Sequence, residues 1–280
     1  MEVRSLTTFI GAEITAVTFE ELRQPEICGP IHETLHQREL IVLRDMAITP
    51  EQQIELARMI GRPVPLGGQY QHPRFPEIAV FSNAVRNGKP LGVARVGNFW
   101  HQDSSFAKNP AAYSMLHGVD VPHTSGHTLY ASACDVYDRL TDDWKARIDG
   151  RTALHTYTKR IRITQDHIGL SVAELRARVE AEYPLTEHPL VKRDPFTGRR
   201  YVYGAPECLD RVSGFDANDN DAFFRRLNSL LEDREHIYVH RWRPRDLALW
   251  KTATTYHAST AVEPGQVRTV HRISIAAPDS

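Results

Sequence analysis

Cysteine is scarce in this chain. Its three residues, Cys28, Cys134 and Cys208, are widely spaced in 280 positions and form no Cys-x-x-Cys pair. An odd, scattered set of this kind excludes a disulfide frame and fits reduced thiols in the cytoplasm. Long hydrophobic runs are missing as well: no stretch approaches the roughly 20 apolar residues that span a bilayer. The opening "MEVRSLTTFIGAEI" lacks the charged start and unbroken apolar stretch of a secretion signal. Charge of one sign does not accumulate either. Lys and Arg number 34 against 35 Asp and Glu, for a formal charge of −1, and no long basic block occurs. Binding to a nucleic-acid phosphate backbone is therefore not expected. These absences describe a cytoplasmic protein without a membrane or nucleic-acid partner; they leave a homo-oligomer open.

What the chain does have is histidine, fourteen in all, with 41% hydrophobic and 25% charged residues. That composition suits a soluble globular protein long enough to bury a sizeable core. Helices are expected at "PEICGPIHETLHQREL", at "TPEQQIELARMIGR", at "TDDWKARIDG", at "SVAELRARVEAEY" and at "NDNDAFFRRLNSLLEDR". The second carries Thr49 as N-cap, Pro50 in the first turn and Gln52 closing a capping box; the fourth has the same box from Ser171 to Glu174. Strand-like pieces are "IVLRDM", "IAVFS", "AAYSMLHGV", "HTLYAS", "TALHTY", "HIYVHRWRPRDLALW", "TTYHAST" and "RTVHRISIA", and "DPFTG" reads as a hairpin turn. From Pro63 to Asn98 the sequence is rich in Gly and Pro and is broken only by "IAVFS", as an active-site loop would be. No repeat, low-complexity tract or linker is visible. The pattern predicts one α+β domain over residues 1–280, with an antiparallel double sheet of the jelly-roll or cupin kind and helices around it.

The chemistry-bearing stretch is "FWHQDSSF", residues 99–106. Alternation along a strand turns His101 and Asp103 to the same side, where both reach one ion. Imidazole and carboxylate suit divalent iron, and a second histidine completes a 2-His-1-carboxylate triad with three open positions. Candidates for that histidine are His240, His257 and His271. His257, in "TTYHAST", has small neighbours, whereas His240 in "VHRWRPRD" is crowded by cationic residues.

"NFWHQDSSF", "HTLYAS", "YHAST" and "VRTVHRISI" together resemble the TauD/TfdA family of iron(II)- and 2-oxoglutarate-dependent dioxygenases, which includes taurine and aryloxyalkanoate dioxygenases. The spacings agree: Thr128 follows His101 by 27 residues, Arg268 follows His257 by 11, and Arg272 lies four further on. The resemblance implies a double-stranded β-helix fold, Fe(II) held by His101, Asp103 and His257, and 2-oxoglutarate and O2 as co-substrates. It implies that Arg268 and Thr128 hold the far carboxylate of 2-oxoglutarate, and that Arg272 holds an anionic group of a small-molecule substrate. His72 matches the family's substrate-touching loop histidine, and Tyr70, Asn98, Ser104 and Phe106 are lining candidates by proximity. The expected reaction is hydroxylation, desaturation or bond cleavage coupled to decarboxylation of 2-oxoglutarate, with natural-product tailoring the preferred setting. The intact Asp103 argues against halogenation, because related halogenases lack that carboxylate.

One departure stands out. Before the distal histidine the family reads Trp-Asp-Asn-Arg, and this chain has "LWKTATTYH", with Lys251, Thr252 and Ala253 in those places. The bracing of the distal strand must therefore differ. Two other readings keep the fold: a metal-dependent cupin-type enzyme that does not use 2-oxoglutarate, and a catalytically silent binding protein. The first lacks the Arg268 and Thr128 pair, and the second would lack a triad residue.

Overall fold

The computed structural model describes residues 1–65, 71–161, 163 and 165–278. Its spine is a long sheet in which Leu247–Lys251, Tyr113–Asp120 and Thr269–Ala276 are adjacent central strands. Leu40–Leu43 flanks them on one side and Phe75–Ser82 on the other. Pairing is antiparallel apart from Ala12–Thr15 against Leu40–Leu43. A shorter sheet sets Thr128–Ser132 between Tyr238–His240 and Thr255–Ser259. The two sheets form the double-stranded β-helix, or jelly roll, that the sequence led us to expect.

Both faces of the long sheet are covered, which explains why its strands read as apolar runs rather than as alternating ones. Ile41, Leu43, Met115, Leu247, Leu249, Ile273 and Ile275 pack in one core with the helices Pro25–Arg38 and Pro50–Ile60. Leu40, Val42, Leu116, Ala248, Trp250 and Val270 point the other way, into the space between the sheets. A third core lies under the hairpin Val191–Arg193/Arg200–Val202 and the helices Ala133–Asp138 and Ala217–Leu231.

The capping boxes at Thr49/Gln52 and Ser171/Glu174 are present, and Thr141 caps Asp142–Ile148. Three expectations change. Ser132 ends its strand and at once caps the helix Ala133–Asp138, a turnover too short to leave a periodic signature. "HIYVHRWRPRDLALW" is two strands serving different sheets. The stretch from Pro63 to Asn98 holds more strand than "IAVFS": Phe75–Ser82 is one strand, with short pieces at Arg62–Val64, Gln71–His72, Val85–Arg86 and Lys89–Pro90. Ladder bonds to Thr269–Ala276 hold Arg62–Val64 and Phe75–Ser82 extended, and local propensity does not report that. Among the described residues no helix is long and apolar enough to cross a membrane.

Candidate metal centre and active site

His257 comes from an edge strand of the short sheet, and His101 joins that edge by a single bridge. The two residues exchange both backbone bonds, His101 N–H to His257 O at 3.0 Å and the reverse at 2.9 Å. Their side chains therefore rise on the same side, with ring centroids 4.0 Å apart. Asp103 arrives differently from the expected strand alternation: it sits in a turn, followed by Ser104 in the left-handed region at φ 58°. Gln102 between them is fully buried and faces the other way. Its side-chain oxygen accepts from Gly204 N at 2.9 Å, and its nitrogen donates to Ala253 O at 2.5 Å and Val202 O at 3.4 Å. Gln102 thus ties the loop of two candidate ligands to the hairpin and to the turn before the third. Gln102→Leu keeps most of the volume but strands buried donors and acceptors. Chemical denaturation should show a loss of about 2–4 kcal/mol; a loss below about 1 kcal/mol would mean the amide does not hold the loop.

The three side chains converge. Asp103 Oδ1 lies 3.7 Å from His101 Nε2, and Asp103 Oδ2 lies 3.6 Å from His257 Nε2, with all three residues buried. Burial pushes the His257 imidazole down to about 4, and burial together with His257 holds His101 well below the usual histidine range. Burial alone would raise the Asp103 carboxyl, but the Arg272 guanidinium, the two histidines and the Ser114 hydroxyl hold it well below the usual carboxylate range. At neutral pH two uncharged imidazoles therefore face one carboxylate. His101 Nδ1 lies 2.9 Å from Phe99 O and so carries the proton, which leaves a lone pair on Nε2. That lone pair, the Asp103 carboxylate and the uncharged His257 ring converge closely enough to share one cation. Bonds of about 2.0–2.2 Å, ordinary for these ligand types, span the separations. The donor set fits a divalent metal. Gly97 makes room for the His101 ring: at φ +69° it packs against it, and a Cβ there would come within 2.9 Å of Cε1.

Arg272, in the middle of the long sheet, donates to Asp103 Oδ1 at 2.9 Å and to Ser114 Oγ at 3.2 Å, while Ser114 donates to Asp103 Oδ2 at 2.7 Å. Deeper between the sheets a small chamber is lined by Thr128, Leu116, Trp250, His257 and Arg268. Arg268 donates through Nε to Gly126 O at 2.8 Å and has no carboxylate in ion-pair reach among the described residues. Burial pushes its pKa down to about 10, so it is still charged at neutral pH. Gly126, at φ +65°, is what lets the arginine pass, since a Cβ there would meet Arg268 Cδ at 2.7 Å. Thr128 Oγ1 accepts from Trp242 Nε1 at 3.0 Å, leaving its own O–H to donate.

Outward from Asp103 a second, wider chamber of about 620 Å3 opens. Ser104, Phe106 and Arg272 line it, as the sequence suggested. Asn98 is exposed and lines neither chamber. Neither does His72, which packs on Phe75 and on His271, 5.6 Å away, at the opposite face of the long sheet from Arg272. Tyr70 lies outside the described residues. Sequence reading missed Arg160, Tyr157 and Tyr183 in this wall: the first two come from a segment with no periodic or spacing signal, and Tyr183 closes an expected helix whose pattern does not say what its end faces. Of the competing histidines, His240 is buried 3.4 Å from Asp246 under the fields of Arg44 and Arg268, and His271 points to the helix side.

The unusual "LWKTATTYH" has its own brace. Lys251 Nζ forms a buried ion pair with Asp194 Oδ2 at 2.7 Å, tying the strand before His257 to the hairpin turn. The Thr252 hydroxyl donates to Ala111 O, and its backbone N–H donates to Ala112 O at 3.0 Å. A lysine and a threonine thus tether the distal segment where the resembled family uses Asp-Asn-Arg.

Comparison with known proteins places the chain in a family. The family described as taurine catabolism dioxygenase TauD, TfdA family, matches residues 2–274. Pentalenolactone F synthase of Streptomyces arenae is 29% identical over 208 residues, 72% of this chain and 70% of that one. The alpha-ketoglutarate-dependent 2,4-dichlorophenoxyacetate dioxygenase of Cupriavidus pinatubonensis is 30% identical over 244 residues, 81% of this chain and 80% of that one. Among solved structures, AAD-2 in complex with Mn(II) and N-oxalylglycine superposes with a TM-score of 0.83 over 99% of both chains at 23% identity. A taurine dioxygenase from Burkholderia xenovorans gives 0.79 over 99% of this chain and 89% of that one at 24% identity. At such identity the two structures speak to the fold.

Proposed function

The chain belongs to the TauD/TfdA family of 2-oxoglutarate-dependent dioxygenases, and from that premise we propose how its residues divide the work. The enzyme uses Fe(II), 2-oxoglutarate and O2 to oxidise a small molecule. When bound, the iron supplies the redox chemistry that couples decarboxylation of 2-oxoglutarate to removal of hydrogen from a substrate carbon. His101, Asp103 and His257 hold the metal; the observation that carries this is the convergence of two neutral imidazoles and one carboxylate in a buried pocket.

Arg268 and the Thr128 hydroxyl bind the far carboxylate of 2-oxoglutarate. A half-buried guanidinium without a carboxylate among the described residues needs an anion, and its fork matches a carboxylate in two bonds. Arg272 has two duties: it orients Asp103, and its inner position offers charge to a substrate anion. Ser104 and Phe106 contribute to the substrate wall. The substrate in this reading is a small organic anion met in natural-product tailoring, in keeping with pentalenolactone F synthase among the relatives. We read residues 1–280 as one functional domain working in the cytoplasm, in line with three unpaired cysteines.

The test is stoichiometric. Purified protein given Fe(II), 2-oxoglutarate and oxygen should release succinate, slowly alone and at least tenfold faster with its substrate. No succinate above the metal-free background would remove the reading.

A further inference from the structure

Arg160 is a charged residue of the site to which nothing above gives a task. It ends a short 3-10 turn, Thr158–Arg160, and lines both the inner and the outer chamber. Its guanidinium lies 5.7 Å from the Phe99 ring centre, 5.8 Å from that of Phe106 and 5.7 Å from that of Tyr157. Its charge also reaches the Cys208 thiol, which burial otherwise pushes up. Glu207 feels its charge, yet no carboxylate reaches ion-pair distance of it among the described residues, and Glu207 lines neither chamber. The aromatic cage fixes the guanidinium without neutralising it.

Charge decides what such a cage is for. Arg62, Arg160, Arg268 and Arg272 line the chambers, against Asp103 as the one carboxylate among the described lining residues. Iron(II) and the 2-oxoglutarate dianion cancel each other, so the loaded site keeps a surplus of three positive charges from its lining residues. Arg272 is already shared with Asp103. Arg62 is exposed and has a partner of its own; of the two less exposed guanidinium groups beside the substrate space, Arg160 is the less compensated.

The walls say what the anion is attached to. Tyr157 stacks on Tyr183 with ring centres 4.4 Å apart, and Phe106 meets Tyr157 edge-on at 4.7 Å. The outer chamber, about 620 Å3, falls within the roughly 300–1,000 Å3 of sites that enclose drug-sized ligands. We infer that Arg160 is a second anchor, beside Arg272, for the substrate's anionic group, and that the substrate is an organic acid with a sizeable apolar body laid against Tyr157, Tyr183 and Phe106. This rests on the dioxygenase reading given above and narrows its substrate class.

The experiment is calorimetric titration of the anaerobic protein loaded with Fe(II) and 2-oxoglutarate. The probes are 3-phenylpropanoate, cyclohexylacetate and hexanoate, each beside its uncharged primary amide. At least one carboxylate should bind wild type tenfold or more tightly than its amide. Arg160→Gln should weaken that carboxylate roughly tenfold to a hundredfold, the worth of a charge-assisted pair in a partly dry site. It should change the amide less than threefold. Arg160→Lys, which keeps the charge and the fold of the loop, should recover part of the loss but not the fork. Wild type that prefers no carboxylate over its amide overturns the inference, as does a loss in Arg160→Gln that falls equally on acid and amide. Absence of the visible 2-oxoglutarate charge-transfer band in wild type points elsewhere: the dioxygenase reading itself has then failed.

Discussion

His257→Ala and His101→Ala should each weaken iron(II) binding by a factor of about a hundred or more. Four-ligand zinc sites bind with about 10–16 kcal/mol, which is roughly 3 kcal/mol for each ligand. The two variants leave the Asp103 carboxylate with both its other partners, Arg272 and Ser114, so the pocket keeps its remaining contacts. Asp103→Ala is the poorer probe. It leaves the Arg272 guanidinium buried without its carboxylate, and such a loss typically destabilises by about 3–5 kcal/mol, which would confuse folding with metal binding. His271→Ala is the control, because its ring lies across the sheet beside His72. Anaerobic equilibrium dialysis against iron(II) reads all of them. Wild-type affinity in His257→Ala, or a hundredfold loss in His271→Ala, would sink the ligand assignment.

Arg268→Gln should raise the 2-oxoglutarate dissociation constant by roughly 30-fold to several-thousand-fold, because a desolvated bidentate pair is worth about 2–5 kcal/mol. The wide range reflects how much water enters the inner chamber once the guanidinium is gone. Lysine should restore only part of this, since an ammonium cannot reproduce the Nε donation to Gly126 O while presenting a fork inward. Arg272→Gln should behave differently. Its guanidinium is engaged by Asp103 and Ser114 rather than left for the far carboxylate. The variant should keep 2-oxoglutarate binding within about threefold, well short of the roughly 1.4 kcal/mol that a tenfold change represents, because Arg268 still holds the far carboxylate. It should instead uncouple succinate release from oxidation of an anionic substrate. Titrating the charge-transfer band in both variants separates the two arginines. Equal loss of 2-oxoglutarate affinity in both would end the division of roles.

What the sequence determined by itself is the part of the site whose geometry is local or set by ladder register. Residues 268, 270 and 272 alternate along or beside one strand, so period groups them, and His101 and Asp103 are close in sequence, although a turn rather than strand alternation brings Asp103 to the site. The capped helices were legible for the same reason, because a capping box closes within one turn. Tertiary structure decided whatever depends on contacts between distant segments. Gln102 reaches residues 100 and 151 positions away, and Lys251 reaches Asp194 across 57, so neither brace leaves a mark in any short window. Register placed His72 behind the sheet although its loop motif suggested the cavity. Arg160, Tyr157 and Tyr183 became a wall only when a 3-10 turn and the end of the helix Val172–Glu182 were laid over the outer chamber. Ligating an ion demands particular residue types at fixed spacing, and sequence records that demand. A substrate pocket asks only that surfaces meet, which many sequences satisfy, so its shape was settled by packing alone.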